Sequence, residues 1–155
     1  SSSGHSAEVI LEQADKLGYD GRIVVVRSAA SAALKGVNKM APEVMRSLTD
    51  RGCTVVTAAH ALSAGERSLS TRLQGVYPLE IMAHTLRMFG QGTKVCVECA
   101  TMAIDAGVIP FHAPVVALGG TGGGLDTAVV LTPSYSSSIL DTKIHEILCK
   151  PVLND

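Results

Sequence analysis

Arg-Ile-Val-Val-Val-Arg at 22–27 places four β-branched residues in unbroken succession, between Asp20-Gly21 and Ser28-Ala29-Ala30. Without alternation there is no wet face, so the run predicts a strand buried on both sides, as in a parallel sheet. Cys-Thr-Val-Val-Thr-Ala at 53–58 and Pro-Val-Val-Ala-Leu at 114–118 read the same way. Residues 127–131 and 144–149 are the remaining strand candidates, with Pro151 at an edge position just past the last.

Helical spacing fills the intervals. Ser6 is a candidate N-cap with Glu8 in the first turn, and Ile10, Ala14 and Leu17 recur until Gly18 supplies a left-handed stop. Residues 29–35 read as a second helix, and Pro42 opens a third whose Val44, Met45 and Leu48 face inward before Gly52. Pro78 opens another, with Leu79, Met82, Leu86 and Phe89 as its apolar stripe and Glu80, His84 and Arg87 on the wetter side. In the helix before Gly107, Val95, Cys99, Met102 and Ala106 form one face, and Lys94, Glu98, Thr101 and Asp105 the opposite, solvated one. Residues 60–77 read as a polar connection, long enough to be a functional loop. Helices alternating with buried strands predict an α/β fold, a mostly parallel sheet flanked by helices, in a single domain over 6–155. The Ser-rich stretch 1–5 carries no periodicity and reads as a disordered or added terminus.

Composition narrows the function. The 155 residues are 46% hydrophobic and 17% charged, a globular balance with one sizeable core. Thirteen Lys and Arg against fourteen Asp and Glu give a net charge of −1, and aromatic content is 3%, so neither a basic stripe nor a base-stacking platform is present. A nucleic-acid partner is not expected. No apolar run reaches the length of a membrane span, and the four cysteines do not form a disulfide framework, so the expectation is a soluble, cytoplasmic protein with reduced thiols.

In open α/β sheets ligands bind beyond the carboxyl ends of strands, which selects 27–31, 57–67 and 119–127. Gly-Gly-Thr-Gly-Gly-Gly-Leu-Asp at 119–126 lets the backbone approach an anion closely and aim N–H groups at it. It matches neither a dinucleotide fingerprint nor a Walker loop, and on base rates alone such a stretch is a flexible connection. His-Ala-Leu-Ser-Ala-Gly-Glu-Arg-Ser at 60–68 offers an imidazole, hydroxyls, a carboxylate and a guanidinium, the groups of an acid/base site or an anion clamp. A loop histidine is more often solvated or structural, and no nucleophile can be placed beside His60 from sequence. Cys96 and Cys99 have CxxC spacing, but without a second pair and within a helix they read as packed core, and no metal site is expected. Lys94 and Glu98, four apart, read as a surface pair or as ligand contacts.

The runs HALSAGERSLS (60–70), GVYPLEIMAHTLRMFGQGTKVCVE (75–98), MAIDAGVIP (102–110) and GGTGGGLDTAVVLTPS (119–134) resemble the free-standing pyruvate kinase α/β-domain proteins, small relatives of the pyruvate kinase C-terminal domain. The resemblance implies that fold without the catalytic barrel, hence no pyruvate kinase activity. It also implies a phosphorylated ligand, flavin mononucleotide (FMN) in particular, at the strand ends. The matching contact positions are Thr57, His60, Ala61, Leu62, Ser63, Arg67, Gln91, Gly92, Lys94, Gly120, Thr121, Gly122 and Asp126.

This chain departs from that family in three places. Arg27-Ser28-Ala29-Ala30-Ser31 stands where relatives have a hydroxyl-rich turn with glycine, and Gly123 stands where they have Arg. Relatives also carry a strand and loop where this chain has only 36–41. Losing an interior strand exposes unpaired backbone groups, so a joined gap near 38–41 or an altered register is expected rather than a clean deletion. The sequence thus predicts a binding domain for a small phosphorylated molecule. The alternatives are an enzyme using that ligand, with His60 and Asp126 as its titratable candidates, and a regulatory homo-oligomer module with a degenerate site.

Overall fold

Valines at 24–26 and 55–56 do form strands, and they pair with each other. A computed structural model describes residues 1–153. Its elements are α1 (His5–Leu17), β1 (Val24–Ser28), α2 (Pro42–Asp50), β2 (Thr54–Ala58), α3 (Ala64–Leu73), α4 (Pro78–Arg87), α5 (Gln91–Asp105), β3 (Val115–Gly119), β4 (Thr127–Thr132) and β5 (Lys143–Cys149). Short 3-10 turns lie at Ala32–Leu34 and Ser136–Asp141. The chain forms two compact units, Ser1–Ala59 and His60–Asp155.

In the first unit β1 and β2 run parallel, Val24 opposite Thr54 through Ser28 opposite Ala58. Ala7, Leu11, Val25, Met40, Leu48 and Cys53 make its core, with Ile23, Val44, Met45 and Val55 packed against them. The first helix begins at His5, ahead of the expected Ser6 cap, because Gly4 takes φ +102° and lies against Val44, where a side chain would clash. Gly4 is buried, and its N–H donates to Ser1 Oγ at 3.1 Å. The helix expected over 29–35 is a single 3-10 turn. Asn38 then closes the chain direction: its Nδ2 donates to the Ser28 carbonyl at 2.7 Å and its Oδ1 accepts the Met40 N–H at 3.0 Å. No strand forms over 36–41, and β1 has β2 as its direct neighbour.

In the second unit the sheet is antiparallel, in the order β3-β4-β5. Val115 faces Leu131, Gly119 faces Thr127, and Val129 faces Ile147, with irregularities in the β4–β5 register after Ala128 and Val130. The protein is therefore α/β with one small parallel pair and one antiparallel sheet, which corrects the expectation of a mostly parallel sheet. The physical reason is chain length. A parallel connection needs roughly a dozen residues or more, whereas 120–126 allow only a hairpin, closed by the Asp126 N–H on the Gly119 carbonyl at 3.0 Å.

Helix α5 covers one face of this sheet, Cys96 and Ala100 meeting Val129, Leu131 and the half-buried Val115, Ala117 and Ile147. It is buried almost all round, so the surface placement of Lys94 and Glu98 is wrong: they and Thr101 lie inside, Asp105 alone of that face is exposed, and so is Ala106, assigned to the apolar stripe. The connection expected over 60–77 is also corrected, since helix α3 occupies most of it. Glu66 on α3 accepts the N–H groups of Leu79 and Glu80 at 2.9 and 3.2 Å, capping α4 from a neighbouring helix. Among the described residues no helix is long and apolar enough to cross a membrane.

Candidate functional site

Two polar features of the second unit converge on α3 and α5. The first is a buried ion pair. Lys94 and Glu98, one turn apart on α5, keep side-chain exposures of only 5% and 2% and join through Lys94 Nζ and Glu98 Oε2. Taking both charges out of water costs several kcal/mol per ion before their attraction is counted, so such a pair needs further hydrogen bonds. Glu98 has them. Its Oε1 accepts the Leu62 N–H at 3.1 Å, and its Oε2 lies 3.1 Å from His60 Nδ1. One carboxylate thus grips the 60–62 segment by backbone and side chain together. Burial alone would raise the Glu98 carboxyl. Hydrogen bonds from His60 and Lys94, reinforced by their charge, outweigh it and hold the group down at about 2.

The second feature is a cleft of about 180 Å³ walled by α3 and α4. Ser63 and Arg67 line it from the start of α3, with Glu66 beside them, and Glu80, His84 and Arg87 line it from α4. Ser63 is the N-cap residue of α3, yet its hydroxyl makes no cap bond. Neither it nor the Arg67 guanidinium takes any side-chain hydrogen bond or ion pair among the described residues. Glu66 is engaged at α4, and Arg87 donates through Nε to Gln91 Oε1 at 2.7 Å. Gly65, in the first turn of α3, has open space where a Cβ would stand.

Contacts lead from the cleft to the glycine hairpin. Gln91, bound by Arg87, begins α5, and Gly92 beside it lies so close to Asp126 and Thr127 that any side chain would collide with both. Asp126 accepts the Thr127 hydroxyl at 2.6 Å. Gly119 is likewise required where β3 ends, because a Cβ there would meet the Gly92 carbonyl. Gly120 is pinned under the Gly124 carbonyl, while Thr121, Gly122 and Gly123 are exposed.

The expected residues therefore divide. Leu62, Ser63 and Arg67 share the cleft, and Gln91, Gly92 and Asp126 connect to it through Arg87. His60, Leu62 and Lys94 are drawn together by Glu98, with half-buried Ala61 between the first two. Lys94, buried and paired, is not a free ligand cation. Gly120, Thr121 and Gly122 sit in the hairpin and do not line the cleft. Thr57 belongs to the other unit, where its hydroxyl accepts Arg27 Nε at 2.7 Å. Arg87 is not among the site candidates; the Glu66 carboxylate is, within 60–68, and Glu98 is only as half of a surface or ligand-contact pair with Lys94. The signal for Glu98 was present: Val95, Val97, Ala100, Met102, Ala103 and Ile104 surround it with apolar positions on every side, which marks a helix with no solvated face.

Cys96 and Cys99 are both free thiols. Cys96 Sγ donates to the Ala117 carbonyl at 3.2 Å, and burial foremost, with nearby Cys99, Asp126 and Cys149, pushes its thiol up to about 12. Burial raises Cys99 as well. Among the described residues no group of three or more His, Cys, Asp or Glu could hold a metal ion. No family model matches the chain.

The cleft is small for a flavin. Pockets that enclose a cofactor-sized ligand run to about 300–1,000 Å³, and no Phe, Tyr or Trp lines this one to stack on an isoalloxazine. The start of α3 is partly engaged, the Ser63 and Ala64 N–H groups donating to the His60 carbonyl at 3.2 and 2.9 Å, whereas the uncommitted hydroxyl and guanidinium suit a phosphate or a compact sugar phosphate.

Proposed function

We propose that the His60–Asp155 unit binds a small phosphorylated metabolite, its phosphate in the cleft against Ser63, Arg67 and the first turn of α3. The observation that carries this is the pair of uncommitted donors four residues apart on one helix face, beside a backbone left open at Gly65. A helix start favours negative charge through its orphan N–H groups and its dipole, and Arg67 adds a bidentate donor. FMN is the particular candidate, with its phosphate in the cleft and its ring outside it. Thr121 and Gly122 are the candidates for a further contact from the hairpin.

Titration with FMN, ribose 5-phosphate and inorganic phosphate, followed by flavin fluorescence and by calorimetry, tests the reading. Saturable binding is expected. Losing one charge-assisted contact removes about 1.5–3 kcal/mol, so Arg67→Ala should weaken affinity roughly 10- to 100-fold. Binding of ribose 5-phosphate without FMN would keep the class and remove the flavin. No saturable binding of any of the three overturns the proposal, and loss of affinity in Thr121→Val would extend the site to the hairpin.

A further inference from the structure

Of the five histidines, His60 alone has a ring nitrogen on a carboxylate among the described residues. The other contacts differ in kind: His145 meets the Thr132 hydroxyl, and His112 lies against the Phe111 ring. The His60 side chain is 51% exposed, with its Nδ1 anchored on Glu98.

The anchor dictates which nitrogen carries the proton. Glu98 is ionised, and an ionised carboxylate only accepts, so Nδ1 must be the N–H that donates to Oε2. In the neutral ring Nε2 is then left with its lone pair, the reverse of the tautomer that free histidine favours. Glu98 cannot swing away from this task, because Oε1 holds the Leu62 N–H and Lys94 holds Oε2. Lys94 also offsets the carboxylate charge in the interior, so the pair orients the ring without an unpaired buried charge. A base oriented by a carboxylate behind it is the arrangement general-base and nucleophilic catalysis requires.

We propose that His60 is a proton-accepting, nucleophilic imidazole acting through Nε2, with Glu98 and Lys94 as its positioning residues. Its step would be removal of a proton from a hydroxyl group or a water molecule. Nε2 gains the proton, the oxygen keeps the electron pair, and Glu98 stabilises the imidazolium until the proton is returned. This goes beyond ligand binding and does not depend on the identity of any ligand. The measurements below use the protein alone, so their failure and the failure of the phosphate-binding reading are separate observations.

Long-range proton–nitrogen NMR on ¹⁵N-histidine-labelled protein, at about pH 8.5 where free imidazoles are neutral, reads the tautomer directly, with His60→Gln identifying the signal. The Nδ1–H pattern is expected for His60. Diethyl pyrocarbonate then measures nucleophilicity: Nε2 attacks one carbonyl, and ethyl carbonate leaves and decomposes to carbon dioxide and ethanol. His60 should be carbethoxylated fastest of the five histidines, as read by peptide mass spectrometry. In Lys94→Met/Glu98→Leu, which leaves neither charge buried alone, the ring should revert to the Nε2–H pattern and lose its rate advantage. A wild-type His60 in the Nε2–H form, or one reacting no faster than His84, overturns the proposal, as does a double variant that keeps both the tautomer and the rate.

Discussion

The two units bury different chemistry. The interior of Ser1–Ala59 is built from Ala7, Leu11, Val25, Met40, Leu48 and Cys53, and its Arg51–Asp15 ion pair stands in solvent. Among the described residues the six buried polar or charged side chains, Thr93, Lys94, Glu98, Thr101, Thr127 and Ser134, all belong to His60–Asp155. An apolar interior needs only volume and shape, whereas a buried charge pair must be matched atom by atom or it destabilises the fold. Stability alone does not call for Lys94 and Glu98, since apolar residues of similar volume often serve as well. Their distinctive consequence is the fixed position of His60 and Leu62 at the entrance to α3.

The sharpest way to break this contrast is to remove one partner. Lys94→Met leaves the Glu98 charge without its buried counter-ion and should destabilise the second unit by about 3–5 kcal/mol. Leu48→Ala, in the first unit, should cost a similar ~2–5 kcal/mol through its cavity. Chemical denaturation followed by amide exchange in α5 and α2 separates the two. Methionine at 94 should leave α2 protected and expose α5, and equal loss in both units would erase the distinction.

Acid offers the next largest effect. The folded Glu98 carboxyl is held below its ordinary value of 4.5, so its contribution is complete above that pH and is lost as pH falls toward about 2. A shift of this size corresponds to roughly 3 kcal/mol, confined to the second unit. Unit-resolved exchange between pH 5 and 2.5, values chosen to bracket most of the fall at roughly one pH unit per 1.4 kcal/mol, checks it.

The smallest effect separates stability from binding. Gly65 faces open space within a helix, so Gly65→Ala should stabilise α3 by about 0.5–1 kcal/mol. The added methyl stands where the phosphate is proposed to approach, so ribose 5-phosphate affinity should fall while the midpoint of unfolding rises. Unchanged affinity would move the ligand away from the start of α3.

Much of this architecture is legible in the sequence, and the failures have physical causes. Pro42 and Pro78 mark helix starts because their fixed φ and missing N–H suit the first turn, and α2 and α4 begin there. Uninterrupted apolar runs locate β1 to β4 but do not distinguish strand direction, and the expected burial of 114–118 on both faces is wrong, since Val116 and Leu118 on β3 are exposed. Helix α3 was hidden by composition. Ala-Gly-Glu-Arg-Ser-Leu-Ser-Thr-Arg-Leu has a glycine, three hydroxyl residues and no buried stripe, and it forms where Glu66 can cap α4. Within the candidate site, Ser63, Arg67 and His60 stood out by residue type. Glu98 did not, because a Lys–Glu pair at i,i+4 looks like a solvated face until the helix around it is known to be enclosed.

The double variant Lys94→Met/Glu98→Leu bears most directly on the claim that the buried pair serves the site rather than the fold. Relief of two buried charges and the loss of a partner for the Leu62 N–H, each about 1–3 kcal/mol, should roughly cancel. The account predicts an unfolding free energy close to wild type together with a clear loss of ribose 5-phosphate affinity. A protein that unfolds as readily as the single Lys94→Met variant, yet binds ribose 5-phosphate as the wild type does, would contradict it.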